Sequence, residues 1–484
     1  MKEWLAAGQT VGPTQTDGPQ RPPAAMHTNC RSRRPQRCWI RQRSRAIHAY
    51  DFFNALTDPD LLDVVDQQLP AHRERLFPPT TTLSLFMAQT LNADASCQAT
   101  MDRHVVERIA NDLPPCSTAT GAYCKARQRL PLTMVHSLLQ HTGHGLMDRG
   151  ANAWRWQGRA VKLVDGTTIT MADTADNQWR YPQPRTQQPG LGFPVARVVA
   201  LLCLGTGAVL DTALGPQAGK EGSEHALFHA LLPNITEGDI LLADRYYCSY
   251  VMIALLQARG ADVVFQQHHR RHTDFRRGRQ IGTLDHVVVW NKPVLKPHWL
   301  SQEDFDELPE TMQLREARVG SKVLVSTVLS STQVSAQGLK ALYAQHWNVE
   351  LDLRNIKTTL GLDRLVCKTP SMNEKQWCVG LLAYNLIRWL MLRSAKLADV
   401  LPRQLSFKHS LQLWLAWSQR GLPPDETQIE RLLVLIAQRR VGRRPGRIEP
   451  RAVKRRPKPL PLLTQPRPIA RDKIRRFGHP KRLK

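Results

Sequence analysis

A chain of 484 residues, 42% hydrophobic and 22% charged, is long enough for two or three domains and has the make-up of a globular protein. Its 67 Lys and Arg against 41 Asp and Glu give a formal net charge of +26 and a pI near 10.2, which points to nucleic acid or an anionic membrane as partner. A membrane span is not expected: the most apolar helix-like stretch, 377–392, is shorter than the roughly 20 residues needed and carries Arg388, and the N-terminus lacks the apolar run of a signal peptide.

Residues 1–45 are rich in Pro, Gln, Thr and Arg and read as a disordered segment with a basic cluster at 31–45. From 46 to 150 apolar residues recur at helical steps, in 52–65, 83–91 and 105–113, so this region is expected to be a helical domain. A helix-turn-helix held in it would make it a DNA-end-binding domain, with 120–129 offering a basic face through Lys125, Arg127 and Arg129. Between 160 and 266 the period changes. Strands are expected at 160–164, 195–204, 208–214, 238–243 and 261–266, and helices at 223–232, capped by Ser223, and 250–259. That order describes an α/β core. Residues 267–335 break the rhythm and read as a mostly β insertion, after which helices resume at 335–361, 373–398 and on to about 438. The tail, 439–484, holds 18 Lys and Arg against Glu449 and Asp472; its prolines argue against a regular helix and for a flexible basic arm. The nine cysteines are scattered with no CxxC pair, so free thiols are expected rather than a zinc ribbon or a disulfide framework.

Three carboxylates carry the chemistry. Asp165 and Asp244 each fall just past a predicted buried strand, where an α/β sheet presents ligands and where an uncompensated carboxylate is costly. The third, Glu350, lies on the helix predicted over 335–360. At about 100° per residue from Tyr343, His346 falls near about −60°, Glu350 near about −20° and Lys357 near about −40°, beside an apolar stripe of Leu342, Val349, Leu353, Ile356 and Leu360. Two aspartates and a glutamate are suitable oxygen ligands for two Mg²⁺ ions, with Mn²⁺ as a substitute. Such a pair activates an attacking oxygen and stabilises a leaving one in phosphodiester displacement.

The segments VDGTTIT, ADRYYCSY and YAQHWNVELDLRNIK resemble the catalytic blocks of the insertion-sequence-four family of bacterial DDE transposases. Its third block runs Tyr, two residues, Arg, three residues, Glu, six residues, Lys; here Tyr343, Glu350 and Lys357 match and His346 stands where Arg is usual. Histidine is shorter and cannot clamp a phosphate bidentately. Further similarity runs through TGAYCKARQRLP, GKEGSEHALFHALLP and LLAYNLIRWLM, so the resemblance covers roughly 80–400. It implies an RNase H-like catalytic domain at 151–400 with the β insertion at about 267–335, C-terminal helices at 401–438 and the basic tail beyond. It also implies cut-and-paste transposition in the bacterial cytoplasm, at the nucleoid, by a homodimer on double-stranded DNA, the terminal inverted repeats and the target. Tyr343, His346, Lys357 and Arg245 would then bind DNA beside the metal ligands Asp165, Asp244 and Glu350. The alternatives are a catalytically decayed or repurposed DNA-binding protein of the same fold, and a structure-specific RNase H-like nuclease that cuts without joining.

Other features stay open on the sequence. His225 and His229 have the spacing of two zinc ligands but lack the following glutamate and a third ligand. The run His268 to His272 either binds phosphate or is a solvated loop; Trp290 and Trp299 either stack on an unpaired base or pack inside the insertion.

Overall fold

The computed structural model describes residue 68 and residues 76–110, 112–219, 222–418, 426–442 and 464–478. The expected disordered stretch 1–45, the helical pattern at 52–65 and most of the tail lie outside the described residues. Helices α1 (Pro79–Leu91), α2 (Cys97–Ala110), α3 (Gly121–Arg129) and α4 (Leu132–Asp148) precede the sheet. The core then runs β1 (Val161–Thr170), α5 (Ala175–Arg180), β2 (Val195–Cys203), β3 (Val209–Pro216), α6 (Glu224–His229), β4 (Ile240–Ala243), α7 (Tyr250–Gln257) and β5 (Asp262–Gln266). The insertion supplies β6 (Arg279–Gly282), β7 (Asp285–Asn291), α8 (Gln302–Asp306), β8 (Thr311–Val319) and β9 (Lys322–Ser326). Next come α9 (Ala336–Tyr343), a 3₁₀ turn (Ala344–Trp347), α10 (Asn348–Arg354) and a π turn (Asn355–Thr359). Helices α11 (Pro370–Ala398), α12 (Phe407–Ser418), α13 (Glu426–Ala437) and α14 (Arg467–Phe477) follow.

Serine caps start several of these helices. Ser223, Ser249 and Ser335 each accept a hydrogen bond from the N–H three residues on, satisfying one otherwise orphaned donor. The nine strands form one sheet in the order β3-β2-β1-β4-β5-β9-β8-β7-β6. Strands β1, β4 and β5 are parallel, and β2 and β3 run antiparallel beside them, with helices on both faces: an RNase H-like core. The sequence reading took the insertion as a break in the core, whereas β9 pairs antiparallel with β5 (Gln266↔Leu324, Val264↔Ser326), so the insertion prolongs the core sheet. Exposed β6 and the short α8 had no periodic signal and were not anticipated.

Side chains alternate across the sheet. Leu163, Leu242, Val264 and Leu324 pack into one cluster with Leu139, Val349 and Leu382 of α4, α10 and α11. Val164, Leu241, Val263 and Val325 enter a second cluster with Phe228 and Met252 of α6 and α7. No helix among the described residues is long and apolar enough to cross a membrane. The tail departs from expectation, since α14 is a regular helix. Pro468 stands in its first turn, where a missing N–H costs little. The Arg467 guanidinium lies 2.5 Å from Asp173 and 4.4 Å from the Phe193 ring centroid.

Two contacts between α4 and β3 give measurable consequences. A Cβ on Gly143 would stand 2.2 Å from the Val209 carbonyl oxygen and 3.0 Å from the Leu210 Cα, both backbone atoms that cannot step aside. Gly143→Ala is expected to destabilise the fold by about 1–3 kcal/mol, read from the midpoint of urea unfolding. His136 Nε2 lies 2.7 Å from Asp211 Oδ1, and this hydrogen bond raises the imidazole pKa. A folded-state pKa above the unfolded one gives stability that is full below the unfolded value and is lost as pH rises through the folded value. The stability gap between the unaltered chain and His136→Ala is therefore expected to be widest in mild acid and to narrow on the alkaline side.

Candidate active site

Asp165 lies in the middle of β1 rather than past its end, because the antiparallel partner β2 continues (Asp165↔Ala200) after the parallel partner β4 has stopped. The register Val161↔Ile240, Lys162↔Leu241, Leu163↔Leu242, carried two residues further, sets Asp165 level with Asp244, the residue after β4. By alternation from Leu163 and Leu242 both carboxylates face the side of the sheet covered by α10. Asp165 Oδ1 accepts from the Gly166 N–H at 2.8 Å, and Asp244 Oδ1 accepts from the Tyr246 N–H at 2.8 Å, which shapes the turn after β4. Burial pushes the Asp165 carboxyl up to about 7; the Gly166 N–H opposes this, while the charges of Asp244, Glu224 and Glu350 add to it. Those three carboxylates are therefore within electrostatic reach of Asp165.

The helix that brings Glu350 is not uniform. Between Tyr343 and Trp347 it tightens to 3₁₀, and after Arg354 it loosens to π. In a 3₁₀ turn residues i and i+3 eclipse, and the His346 ring indeed lies flat on Tyr343, centroids 5.6 Å apart and planes 1° apart. His346 Nε2 is buried with no hydrogen-bond partner, and burial lowers the pKa of the imidazole. Tyr343 is 8% exposed, its hydroxyl 3.5 Å from Gln266 Oε1. Glu350 is exposed, as is Arg245 beside Asp244. Lys357, on the π turn, donates to Thr167 Oγ1 at 2.9 Å, two residues along β1 from Asp165.

Opposite Glu350 the same helix is bolted down. Asp352 is 1% exposed and ion-paired to Arg388 of α11 and, at 2.7 Å, to Arg403; Tyr384 donates to it at 3.3 Å. Arg403 also donates to the Cys203 carbonyl at 3.0 Å, and Tyr384 lies 3.0 Å from the Gly207 carbonyl, so the network reaches the β2–β3 turn.

Sequence reasoning missed Glu224. Its carboxylate lies where a Gly166 side chain would be, 2.5–2.8 Å from an ideal Cβ there, with the Tyr247 hydroxyl at 3.3 Å and Arg197 Nε at 3.8 Å. The glycine after Asp165 was the only local sign that something approaches the strand. Of the other expected features, Arg127 is buried (8% exposed), bonds Gln89 Oε1 at 3.0 Å and stacks over Phe86, so it cannot belong to a basic DNA-reading face. Trp290 is core, donating to Glu316 at 2.8 Å beneath the Arg271 guanidinium. Half-buried Trp299 stacks on His225 at 6.0 Å and 5°, and lies 5.4 Å from the ring of His229. His268, by contrast, lies within electrostatic reach of Asp244 and Arg245.

Among the described residues no three His, Cys, Asp or Glu side chains close into a metal cage. Mg²⁺ is ordinarily held by one or two carboxylates and completed by water and substrate phosphate. Two aspartates level with each other on one face of the sheet, with Glu350 within electrostatic reach of Asp165, form a donor set that fits such an ion.

Residues 156–386 match the family model described as the transposase DDE domain. The chain is similar to the transposase InsG for insertion sequence element IS4 of Escherichia coli strain K12, 26% identical over 352 residues, 70% of this chain and 77% of that one. InsZ of the same strain is 28% identical over 148 residues, 30% of this chain and 48% of that one. A cryo-EM structure of the piggyBac transposase synaptic complex with hairpin DNA superposes with a TM-score of 0.40 at 9% identity over 82% of this chain and 86% of that one, a likeness too loose to argue from.

The Asp352 network predicts a cost separate from chemistry. Asp352→Ala leaves two guanidinium groups without their carboxylate, and is expected to lose about 3–5 kcal/mol of stability in denaturant melts.

Proposed function

Because this chain is a DDE-type transposase related to the insertion-sequence-four transposases, we propose that it cuts and rejoins DNA at the ends of an insertion sequence, with Asp165, Asp244 and Glu350 as the ligands of its catalytic Mg²⁺. The observation that carries this reading is the level pairing of Asp165 and Asp244 on one face of two parallel strands, under the helix that bears Glu350. When bound, two Mg²⁺ ions, or Mn²⁺ in their stead, supply Lewis-acid activation of the attacking oxygen and charge stabilisation of the leaving one. The protein's own part is positional. Lys357, held on Thr167, and exposed Arg245 hold the phosphates that flank the scissile bond. Tyr343 is a buried stacking element under this surface. The net charge of +26 draws the duplex in by counterion release.

In the reaction, water hydrolyses a phosphodiester at the element's end, leaving a 3′-hydroxyl. That hydroxyl then displaces at a second phosphodiester, so each bond broken is matched by one formed. The work takes place on double-stranded DNA, terminal inverted repeats and target, by two copies of the chain on paired ends in the bacterial cytoplasm. A second reading, a DNA-binding protein that no longer cuts, draws on His346, which stacks inward instead of presenting a clamp.

The test is excision from a plasmid carrying the gene with its native flanking DNA. Precise loss of the segment is expected, and Asp165→Ala, Asp244→Ala and Glu350→Ala are each expected to reduce it to background. Because Glu350 is exposed, its alanine variant should keep its stability within about 0.5 kcal/mol. No excision, together with tight binding of the end sequences, would favour the second reading.

A further inference from the structure

The residue at the arginine position of the third block, His346, packs its ring against Tyr343 and the Val164 backbone rather than standing free in solvent. The 3₁₀ turn lays its ring on Tyr343, and its Nε2 is buried without a partner. A side chain stacked in this way has no free cation to offer a phosphate. The same tyrosine has a second neighbour. Lys322, the first residue of β9, carries its Nζ 5.5 Å from the Tyr343 ring centroid, within the range of a cation–π contact.

Three observations bear on what this lysine does. It is exposed, and no carboxylate among the described residues pairs with it. It sits at the β8–β9 turn, opposite Val319 in the register, with Gly320 at φ 64° closing the hairpin, so its backbone is held in place by the sheet. Its direction follows from alternation: Leu324, two residues on, packs into the cluster shared with Leu163, Leu242 and Val349, and Lys322 therefore projects to the face occupied by Asp165, Asp244 and Glu350. Leu324 pairs with Gln266, whose side-chain oxygen faces the Tyr343 hydroxyl, so strand, lysine and tyrosine form one local assembly.

We propose that Lys322, delivered from the insertion, is the phosphate-binding cation beside Tyr343, and that His346, packed against the tyrosine ring, makes no phosphate contact of its own. This rests on the reading that the chain acts on DNA. The ligand is one phosphate of the duplex backbone next to the scissile position, and the contact is a point charge rather than a bidentate clamp.

The test is the salt dependence of binding by the full chain to a duplex containing the element's own end, with thermal melts to show that each variant is folded. Neutralising one phosphate changes the slope of log K against log salt by about 0.9. Lys322→Gln is expected to flatten the slope by that amount, Lys322→Arg to keep it and His346→Ala to leave it unchanged. His346→Arg placed in the Lys322→Gln background is expected to regain it. If Lys322→Gln binds with the unaltered slope, or if His346→Ala flattens it as much, the assignment is overturned. If the unaltered chain shows no salt-dependent binding at all, the DNA reading itself fails, and the assignment falls with it.

Discussion

Asp352 lies two residues beyond Glu350 and is sealed from water, a position in which a carboxylate is tolerable only with its charge fully matched. Arg388, Arg403 and Tyr384 provide the match, and each is also held elsewhere: two on α11, one by the carbonyl groups of the β2–β3 turn. The exposed carboxylate of Glu350 gains its direction from this buried one. A helix pinned by apolar contacts alone can slide or rotate by fractions of a turn at small cost. Paired to a fixed guanidinium at its back, it has one rotational setting in which the buried charge is satisfied. The site face and the anchoring face of α10 are thus two consequences of one sequence, ELD, read around a helix.

The irregular winding on either side of α10 serves the same end. A straight α-helix from Tyr343 to Lys357 would keep the four polar residues on one stripe. The 3₁₀ turn advances the chain by about 120° per residue instead of about 100°, and so folds His346 onto Tyr343 while Glu350 stays outward. The π turn then widens the helix where Lys357 reaches across to Thr167 on β1. Glu350 and Lys357 thereby approach the same strand from one helix without competing for the same space.

Much of this was legible in the sequence. Strands β1 to β5 declare themselves as short apolar runs closed by turn residues, and Ser223 declares the start of α6, because these signals are local. The order of elements and the spacing of Tyr343, Glu350 and Lys357 are likewise local facts. What periodicity cannot carry is a change of helical pitch, since an average of 100° per residue hides a tight turn followed by a wide one. It also cannot tell a solvated arginine from a buried one: Arg127 looks like part of a basic face, yet Gln89, Phe86 and Tyr123, distant in the chain, enclose it. Glu224 was invisible for the same reason, as its approach to Gly166 depends on how α6 docks on the sheet. The tail helix α14 was missed because prolines were counted without regard to position, and Pro468 falls where a helix accepts one.

The pairing of β9 with β5 has a consequence for how such a protein can evolve. In a core of five strands β5 would be a border, with a row of unpaired amides and carbonyls open to any other extended chain. Here that border is closed by four strands of the insertion, and the sheet ends on that side instead at β6, a strand of four mostly exposed residues that begins Arg279-Gln280. The insertion therefore also closes the β5 border to stray strand addition, and a lineage that trimmed it away would have to cover that border in another way.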